Sequence, residues 1–457
     1  MQKEDPVKEF NQNVFFDFEK KHDLFSKHSG DLFYWDLIRF ELFYHLLWNR
    51  NSNIKSEKSA VSKRQILNEL KSFFNFFLFK KVIFLFFTAS RNKINNDKIF
   101  DQNLADILDV VPGKYYAFEN FERDKTKWHS NNTLFNPIAV FRRIIKFFYK
   151  HKQDYSELIS LISNEFPSSA FTAEDIKRIV LDFKIDYFYY SVIFKIKKPK
   201  AVFITQNGIQ KGLFAAGKRY NIPIIEVQHG IIDDAHLAYS YSKKINYKEN
   251  QIYLPTYFFS FSEFWTKTLN FPVKEIIPMG NSYFYNSQVV NNKKAEENKK
   301  GLLVASSDVF GENLKNIILD FAGNNKTTPV YFKLHPNQFL EKQYYVDQFS
   351  NFDNVNVYTN ENSIYELLEI SDAILVIQST ALYEAYHLKK KAFIYKKQTY
   401  QRHQHVFDLP NIYLVNNVND IIEAYDNKFV IDSLTQDLFF KNFDSIKFNQ
   451  FLNNLNF

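Results

Sequence analysis

The chain has 457 residues, too many for one ordinary hydrophobic core, so two or three domains are expected. It contains no cysteine, which excludes disulfides, thiolate zinc sites and a cysteine nucleophile, and fits a reducing compartment. Glycine is scarce at 10 residues, neither a dinucleotide fingerprint nor a P-loop is present, and a formal charge of +7 without any nucleic-acid module argues against a nucleic-acid partner.

The first residues, Met1-Gln2-Lys3-Glu4-Asp5-Pro6, are polar and carry no secretory pattern. Residues 1–55 read as helical, with Leu32, Trp35, Ile38, Leu42 and Leu46 recurring at spacings of three and four. The most apolar run, 73–89, is interrupted by Lys80 and Lys81, which argues against a membrane-spanning helix. It reads instead as the end of a helix over 64–77 and a strand over 82–87, closing on Thr88-Ala89-Ser90-Arg91. That hydroxyl and basic cluster stands equally for a functional strand end and for a turn with a surface arginine. A second strand, 114–118, ends near Glu119. Residues 121–200 are mainly helical. Thr172 and Asp175 form a capping-box pattern opening a long helix that stops before Pro199. In segment 141–150 Arg142, Arg143, Lys146 and Lys150 alternate with aromatic and aliphatic residues. A solvated helix face is the default there, and contact with an anionic membrane surface the alternative.

The centre of the chain is a strand–helix–strand unit. Strand 201–205 precedes a helix carrying Leu213, Phe214, Ala216 and Tyr220, and strand 224–228 follows. Such units are right-handed and place functional loops at the carboxyl ends of their strands. Gln228-His229-Gly230 falls at one of those ends. A polar trio there would cost free energy if buried and unpaired, so it is expected to face a crevice, although a core histidine beside a turn glycine is the plainer alternative. Strands 252–261 and 273–278 follow, around a helix over 262–268. The Asn-, Lys- and Glu-rich segment 281–300 has no apolar periodicity and marks a domain boundary. Beyond it a second alternation begins, with strands 302–305, 330–333, 355–358, 373–377, 392–395 and 412–415. The expected organisation is an α/β domain over 1–280, a second over 301–431, and an aromatic helical tail, 432–457, packing back on the first.

Two such domains facing one another would line a cleft with their strand ends. Candidates from the second are Ser306-Ser307-Asp308, Lys333-Leu334-His335-Pro336, and Gln378-Ser379-Thr380 running to Glu384. Ser379 or Thr380 would cap a helix whose amides attract a phosphate, and Glu384, one turn on, could receive a ribose hydroxyl. Taken singly, these are a plain N-cap and a surface carboxylate.

Read in order, Gln228-His229-Gly230, Lys333-Leu334-His335-Pro336 and Ser379-Thr380 with Glu384 resemble the motif series of GT-B glycosyltransferases of bacterial capsule and surface-polysaccharide assembly. They are similar also to the related CDP-glycerol glycerophosphotransferases and the Kdo or sialic acid transferases with a His–Pro motif. The resemblance covers residues 200–396, and 80–120 more faintly. It implies a GT-B fold of two Rossmann-like domains and an enzyme that takes a nucleotide-activated sugar to a glycan or lipid-linked glycan acceptor, at the cytoplasmic side of a membrane. It further implies His229 as general base, with Asp234 and then Glu119 in reserve, and His335 of the His–Pro element on the donor phosphates. Ser379 and Thr380 would hold phosphate or ribose. Asp233-Asp234 is followed by Ala235, not glycine, which disfavours a sialic acid donor. With no DXD-like acidic motif, phosphate charge would be met by His335, a helix terminus and Arg91 or Lys333, and no obligatory metal or other cofactor is expected. The alternatives are a CDP-polyol phosphotransferase, a GT-B-type sugar epimerase, and an inactive glycan-binding scaffold.

Overall fold

A computed structural model of the chain describes residues 11–48, 67, 70–71, 74–78, 81–88, 92–95, 98–119, 132–148, 153–205, 208, 210–233, 236–286, 301–397, 400–428, 430 and 437–455. The chain divides into two compact units. One comprises Met1–Ser260, Trp265–Met279 and Asp444–Phe457, the other Phe261–Phe264 and Gly280–Phe443. Residues 287–300 of the expected boundary lie outside the described residues.

Short runs of aromatic and branched residues with both faces covered suit parallel strands, and each unit is built on such a sheet. In the first unit the strands are β1 (Phe84–Phe87), β2 (Tyr115–Glu119), β3 (Thr133–Phe135), β4 (Ala201–Ile204), β5 (Ile224–Val227), β6 (Tyr257–Ser260) and β7 (Glu275–Pro278). They pair in parallel in the order β7-β6-β5-β4-β1-β2-β3. Every residue of β1, β4, β5 and β6 is buried. The second unit carries β8 (Gly301–Ala305), β9 (Val330–Lys333), β10 (Val355–Tyr358), β11 (Ser371–Val376), β12 (Lys391–Tyr395) and β13 (Ile412–Val415), in the order β10-β9-β8-β11-β12-β13, again all parallel. In both sheets the chain winds outward from a central strand, returns, and winds the other way. The switch points fall between β1 and β4 and between β8 and β11, where doubly wound folds bind ligands at the carboxyl ends.

Helix Ala173–Lys197 opens with the capping box of Thr172 and Asp175 and ends at Lys198, which takes a left-handed conformation before Pro199. The crossover helix Lys211–Arg219 lies against it. A Cβ on Gly212 would come within 2.5 Å of the Asp186 Cβ and 2.7 Å of the Tyr187 amide nitrogen, so glycine permits that approach. Helix Ser445–Asn454 packs on the first sheet, with the Phe451 ring 5.0 Å from those of Phe259 and Tyr257.

The N-terminal helices Gln12–Lys21 and Trp35–Trp48 join this unit through charges that have left water. The Arg39 Nε donates to Glu19 Oε1 at 2.7 Å, and its Nη atoms donate to the carbonyls of Leu237 and Ser240 at 2.6 and 3.2 Å. Asp36 accepts the Tyr241 hydroxyl, the Lys211 ammonium and the Tyr253 amide at 2.7, 2.9 and 2.8 Å. All these charged groups are buried. Burial pushes the Glu19 carboxyl up against the pull of Arg39, and it pushes the Lys211 ammonium down against the pull of Asp36. The Arg39 guanidinium, although burial works against its charge, is held above its ordinary range by Glu19. Desolvation and attraction of this kind nearly cancel, so the network contributes geometry more than stability.

Several elements differ from the sequence expectations. Residues 92–101 contain an antiparallel hairpin, Asn92–Asn95 with Lys98–Asp101, and Thr133–Phe135 is an edge strand within the stretch read as helical. The strand expected from 252 begins at Tyr257, because the Tyr253 amide is taken by Asp36 and Pro255 has no amide to give. The helix expected over 262–268 is a single 3-10 turn, Glu263–Thr266.

Of the basic segment 141–150, the described residues 141–148 form the end of helix Ile138–Phe148, with Arg143 and Lys146 exposed and Arg142 half-buried. Arg142 is bidentate on Asp186, with Nε at 2.7 Å, Lys146 pairs with Asp182 at 2.6 Å, and the Phe141 ring packs on Tyr189. Arg142 and Lys146 thus pair with carboxylates of the long helix. No described helix is long and apolar enough to cross a membrane.

Breaking the buried network should be far more costly than breaking a surface pair. Arg39→Ala, which strands Glu19 and two carbonyls, is expected to cost about 3–5 kcal/mol. Arg178→Ala, which removes the exposed pair with Glu41, should cost under about 1 kcal/mol. Urea unfolding of both variants measures the difference, and equal losses would refute the role given to Arg39.

Candidate functional site

At the carboxyl edge of the first sheet the Gln228 amide continues the ladder to the Phe259 carbonyl at 2.9 Å. Its buried side chain donates to the Gly230 carbonyl at 2.9 Å and closes a tight turn around His229. His229 is partly buried, with Nδ1 on the inside. The segment that follows is held by Arg39, as above, and by the Tyr239 hydroxyl donating to Glu226 Oε1 of β5 at 2.6 Å. At the switch point itself Thr205, just past β4, is fully buried, and its hydroxyl has no partner among the described residues. Of the reserve candidates, Glu119 closes β2 but its side chain lies outside the described residues, as do Asp234 and Arg91 entirely.

The carboxyl edge of the second sheet is an interlocked set of turns. The polypeptide after β9 runs through Leu334 into His335-Pro336, which starts the 3-10 helix Pro336–Glu341. His335 Nδ1 accepts the Asn337 amide at 3.2 Å. A nitrogen that accepts carries no proton, so a neutral His335 bears its hydrogen on Nε2. Gln338, three residues on, is buried and ties the edge together. Its Oε1 accepts from the Ser306 hydroxyl at 2.8 Å and the His335 amide at 3.3 Å, and its Nε2 donates to the Tyr345 hydroxyl at 2.9 Å. Asn337 donates to Asp308 at 2.9 Å. The sequence carries a signal for this: a helix-start residue with Gln at the third position beyond is a capping-box pattern.

Other candidates at this edge make contacts of their own. The Lys333 ammonium donates to the carbonyls of Thr359 and Asn362, the latter at 2.6 Å, and so anchors the loop after β10. The Ser307 hydroxyl accepts the amides of Val309 and Phe310, both at 3.2 Å, and closes the turn that precedes helix Gly311–Asn324. Of the pair after β11, Ser379 is the capping side chain, accepting the Ala381 amide at 3.3 Å, while Thr380 is itself helical and makes no side-chain cap. Glu384 is not a surface carboxylate: it hydrogen-bonds Tyr365, whose hydroxyl burial and Glu384 hold well above its ordinary range.

Beside these residues lies a group that the sequence did not single out. Tyr383, fully buried on helix Ala381–His387, hydrogen-bonds His403 Nδ1 and His405 Nε2, each at 2.9 Å. Burial, helped by His405 and Arg402, pushes His403 down to about 3, so it is neutral under ordinary conditions. The His-x-His spacing was visible, but its partner is 20 residues away. Among the described residues no cluster of His, Asp and Glu suits a metal ion.

Two doubly wound parallel sheets, each with a polar carboxyl edge, define a GT-B-like α/β fold. Residues 304–403 match the family described as "Capsule polysaccharide biosynthesis protein", a span running from the end of β8 through the His–Pro turn to His403. No curated protein matches the chain by sequence. Among solved structures, the UDP-GlcNAc 2-epimerase from Methanocaldococcus jannaschii aligns over 82% of this chain and 100% of its own at 12% identity, with a TM-score of 0.51. The UDP-GlcNAc 2-epimerase from Neisseria meningitidis bound to UDP-GlcNAc aligns over 82% of this chain and 100% of its own at 15% identity, with a TM-score of 0.46. The wall teichoic acid polymerase TagF aligns over 86% of this chain and 98% of its own at 12% identity, with a TM-score of 0.43. Only the first of these exceeds 0.5, and at such identity it bears on the fold alone.

Lys333→Met separates a loop anchor from a phosphate ligand. Loss of two carbonyl contacts should lower the urea midpoint, by about 1–3 kcal/mol in stability, while nucleotide affinity stays within about twofold of wild type. A tenfold loss of affinity with unchanged stability would restore Lys333 as a phosphate ligand.

Proposed function

We propose that the chain is an inverting glycosyltransferase of surface-polysaccharide assembly, taking a sugar from a nucleotide-activated donor to a growing glycan. The observation that carries this reading is His335. Its Nδ1 is engaged by the Asn337 amide, its backbone is fixed by Gln338, and its Nε2–H is left as the donor edge, beside the switch point of a doubly wound sheet. That is a donor suited to an anionic oxygen, and the leaving nucleotide phosphate is where negative charge develops in glycosyl transfer. The match of residues 304–403 to a capsule biosynthesis family supports the same process.

In this reading His229 is the general base. With Nδ1 inside, the Nε2 edge of the ring would take the proton of the acceptor hydroxyl as that oxygen attacks the anomeric carbon and the nucleotide departs. The turn closed by Gln228 sets the direction of that edge. Ser379 and Glu384 would complete the donor side, Ser379 by shaping the loop after β11 and Glu384 together with Tyr365 toward a ribose hydroxyl. Transfer of a CDP-linked polyol phosphate and epimerisation of a nucleotide sugar would use the same donor half, and products formed from CDP-glycerol and from nucleotide sugars separate these reactions.

The two histidines should fail differently. His229→Ala should cut turnover by roughly a hundred- to ten-thousandfold and leave donor affinity nearly unchanged. His335→Ala should weaken nucleotide binding by about one to two decades as well as slowing the reaction. Initial rates beside calorimetric titration provide both numbers. Unchanged turnover in His229→Ala would remove it as base, and unchanged affinity in His335→Ala would reduce the His–Pro element to a turn.

A further inference from the structure

A lone exposed leucine is ordinary, and a cluster of large apolar side chains on one surface is not. Among the described residues of the first unit seven such side chains are exposed, and six of them belong to one layer of helices. They are Leu67, Phe74, Leu78, Ile144, Phe188 and Ile196, each 53–70% exposed. The layer covers the face of the sheet presented by Leu85, Phe87, Val202 and Ile204, and Phe76, Tyr190 and Ile193 form its inner side. Helical residues at spacings of four, seven and eleven share a side, so Leu67, Phe74 and Leu78 stand together, opposite the buried Phe76. Phe188 is two residues from each of the buried Asp186 and Tyr190, which puts it on the outer side of its helix. Ile144 is likewise two residues from Arg142, which turns toward Asp186. Next to Ile196, the Lys197 ammonium donates to the carbonyls of Phe76 and Phe77 at 2.6 and 2.8 Å and ties two helix ends together.

The same layer is basic. Lys71, Arg143, Lys184, Lys195 and Lys198 make no ion pair among the described residues. The only carboxylates of residues 180–200, Asp182 and Asp186, are taken by Lys146 and Arg142. Lys195 and Lys198 also offset the dipole at the end of their helix, but that role calls for no exposed apolar neighbours. Apolar and cationic side chains on the outer side of helices too short or too polar to span a membrane suit the plane of an anionic bilayer surface. Side chains standing out from helices form no groove for a peptide, and a twofold contact with a second copy would set unpaired cations against one another.

From this pattern we infer that the outer surface of this helical layer docks on an anionic lipid bilayer. The apolar side chains enter the headgroup boundary and the cations meet the lipid phosphates. Of segment 141–150, Arg143 and Ile144 belong to this surface. The inference is independent of the nucleotide-site reading, and its failure leaves that reading standing.

Flotation of the full-length protein with lipid vesicles tests it. Wild type is expected to float with vesicles of phosphatidylglycerol and phosphatidylcholine, to be released by salt, and to float poorly with phosphatidylcholine alone. Lys195→Glu combined with Lys198→Glu should weaken binding to the anionic vesicles by roughly twentyfold or more, at about fivefold per cation removed. Leu67→Ser combined with Leu78→Ser should weaken it by about tenfold or more. All four positions are exposed, so both variants should melt near the wild-type temperature. Absence of wild-type binding to anionic vesicles at low salt, equal binding to neutral ones, or undiminished binding by either variant overturns the inference. Sedimentation velocity covers the remaining case: a dimer that the leucine variant dissolves would make this surface a contact between copies and overturn the bilayer assignment.

Discussion

Parallel strand pairing is the constraint from which the rest of the molecule follows. A parallel ladder cannot be closed by tight turns, so each strand needs a crossover, and the crossovers cover both faces of the sheet with helices. With both faces dry, polar side chains collect at the strand ends, and the reversal of winding between β1 and β4, and between β8 and β11, opens the carboxyl edge there. The candidate residues are distributed accordingly: Thr205 and His229 at the edge of the first sheet, and Ser306, His335, Ser379 and His405 at the edge of the second. The three histidines are each steadied by a neighbour whose task is geometric. Gln228 closes the turn at His229, Gln338 locks the one at His335, and Tyr383 bridges to His405.

The buried charges of the first unit belong to the same logic. Glu19, Arg39, Asp36 and Lys211 gain little stability over an apolar cluster of equal volume, because desolvation offsets their attraction. Their hydrogen bonds have direction, however, and a greasy cluster has none. Arg39 holds the carbonyls of Leu237 and Ser240, and Asp36 holds the Tyr241 hydroxyl and the Tyr253 amide. The polypeptide leaving His229 is thus fixed by the N-terminal helices, which explains why they belong to the first unit at all.

Much of the α/β architecture was legible in the sequence because its signals are local. Strands β9, β10 and β13 stand at the residues that apolar runs indicated, and the Thr172–Asp175 capping box opens the helix it announced. The edge strand Thr133–Phe135 was not legible, since three residues at a sheet margin leave no period to read. The His–Pro turn was visible as a motif, but the partners of its side chains were not. Lys333 reads as a phosphate cation in a Lys-Leu-His-Pro string, yet only the fold brings the Thr359 and Asn362 carbonyls to its ammonium. Tyr383, His403 and His405 likewise meet because β11 and β12 are neighbours, a fact that sequence spacing does not carry.

Hydrogen–deuterium exchange of the full chain, with and without whichever of UDP, GDP, CMP, CDP and dTDP raises its melting temperature most, tests the central claim most directly. The account predicts slowed exchange in the second unit at the ends of β8, β9, β11 and β12, centred on 306–310, 335–338 and 378–383. Protection instead at the opposite edge of the first sheet, in the groove of about 430 Å³ between Lys198 and Pro223, would contradict it.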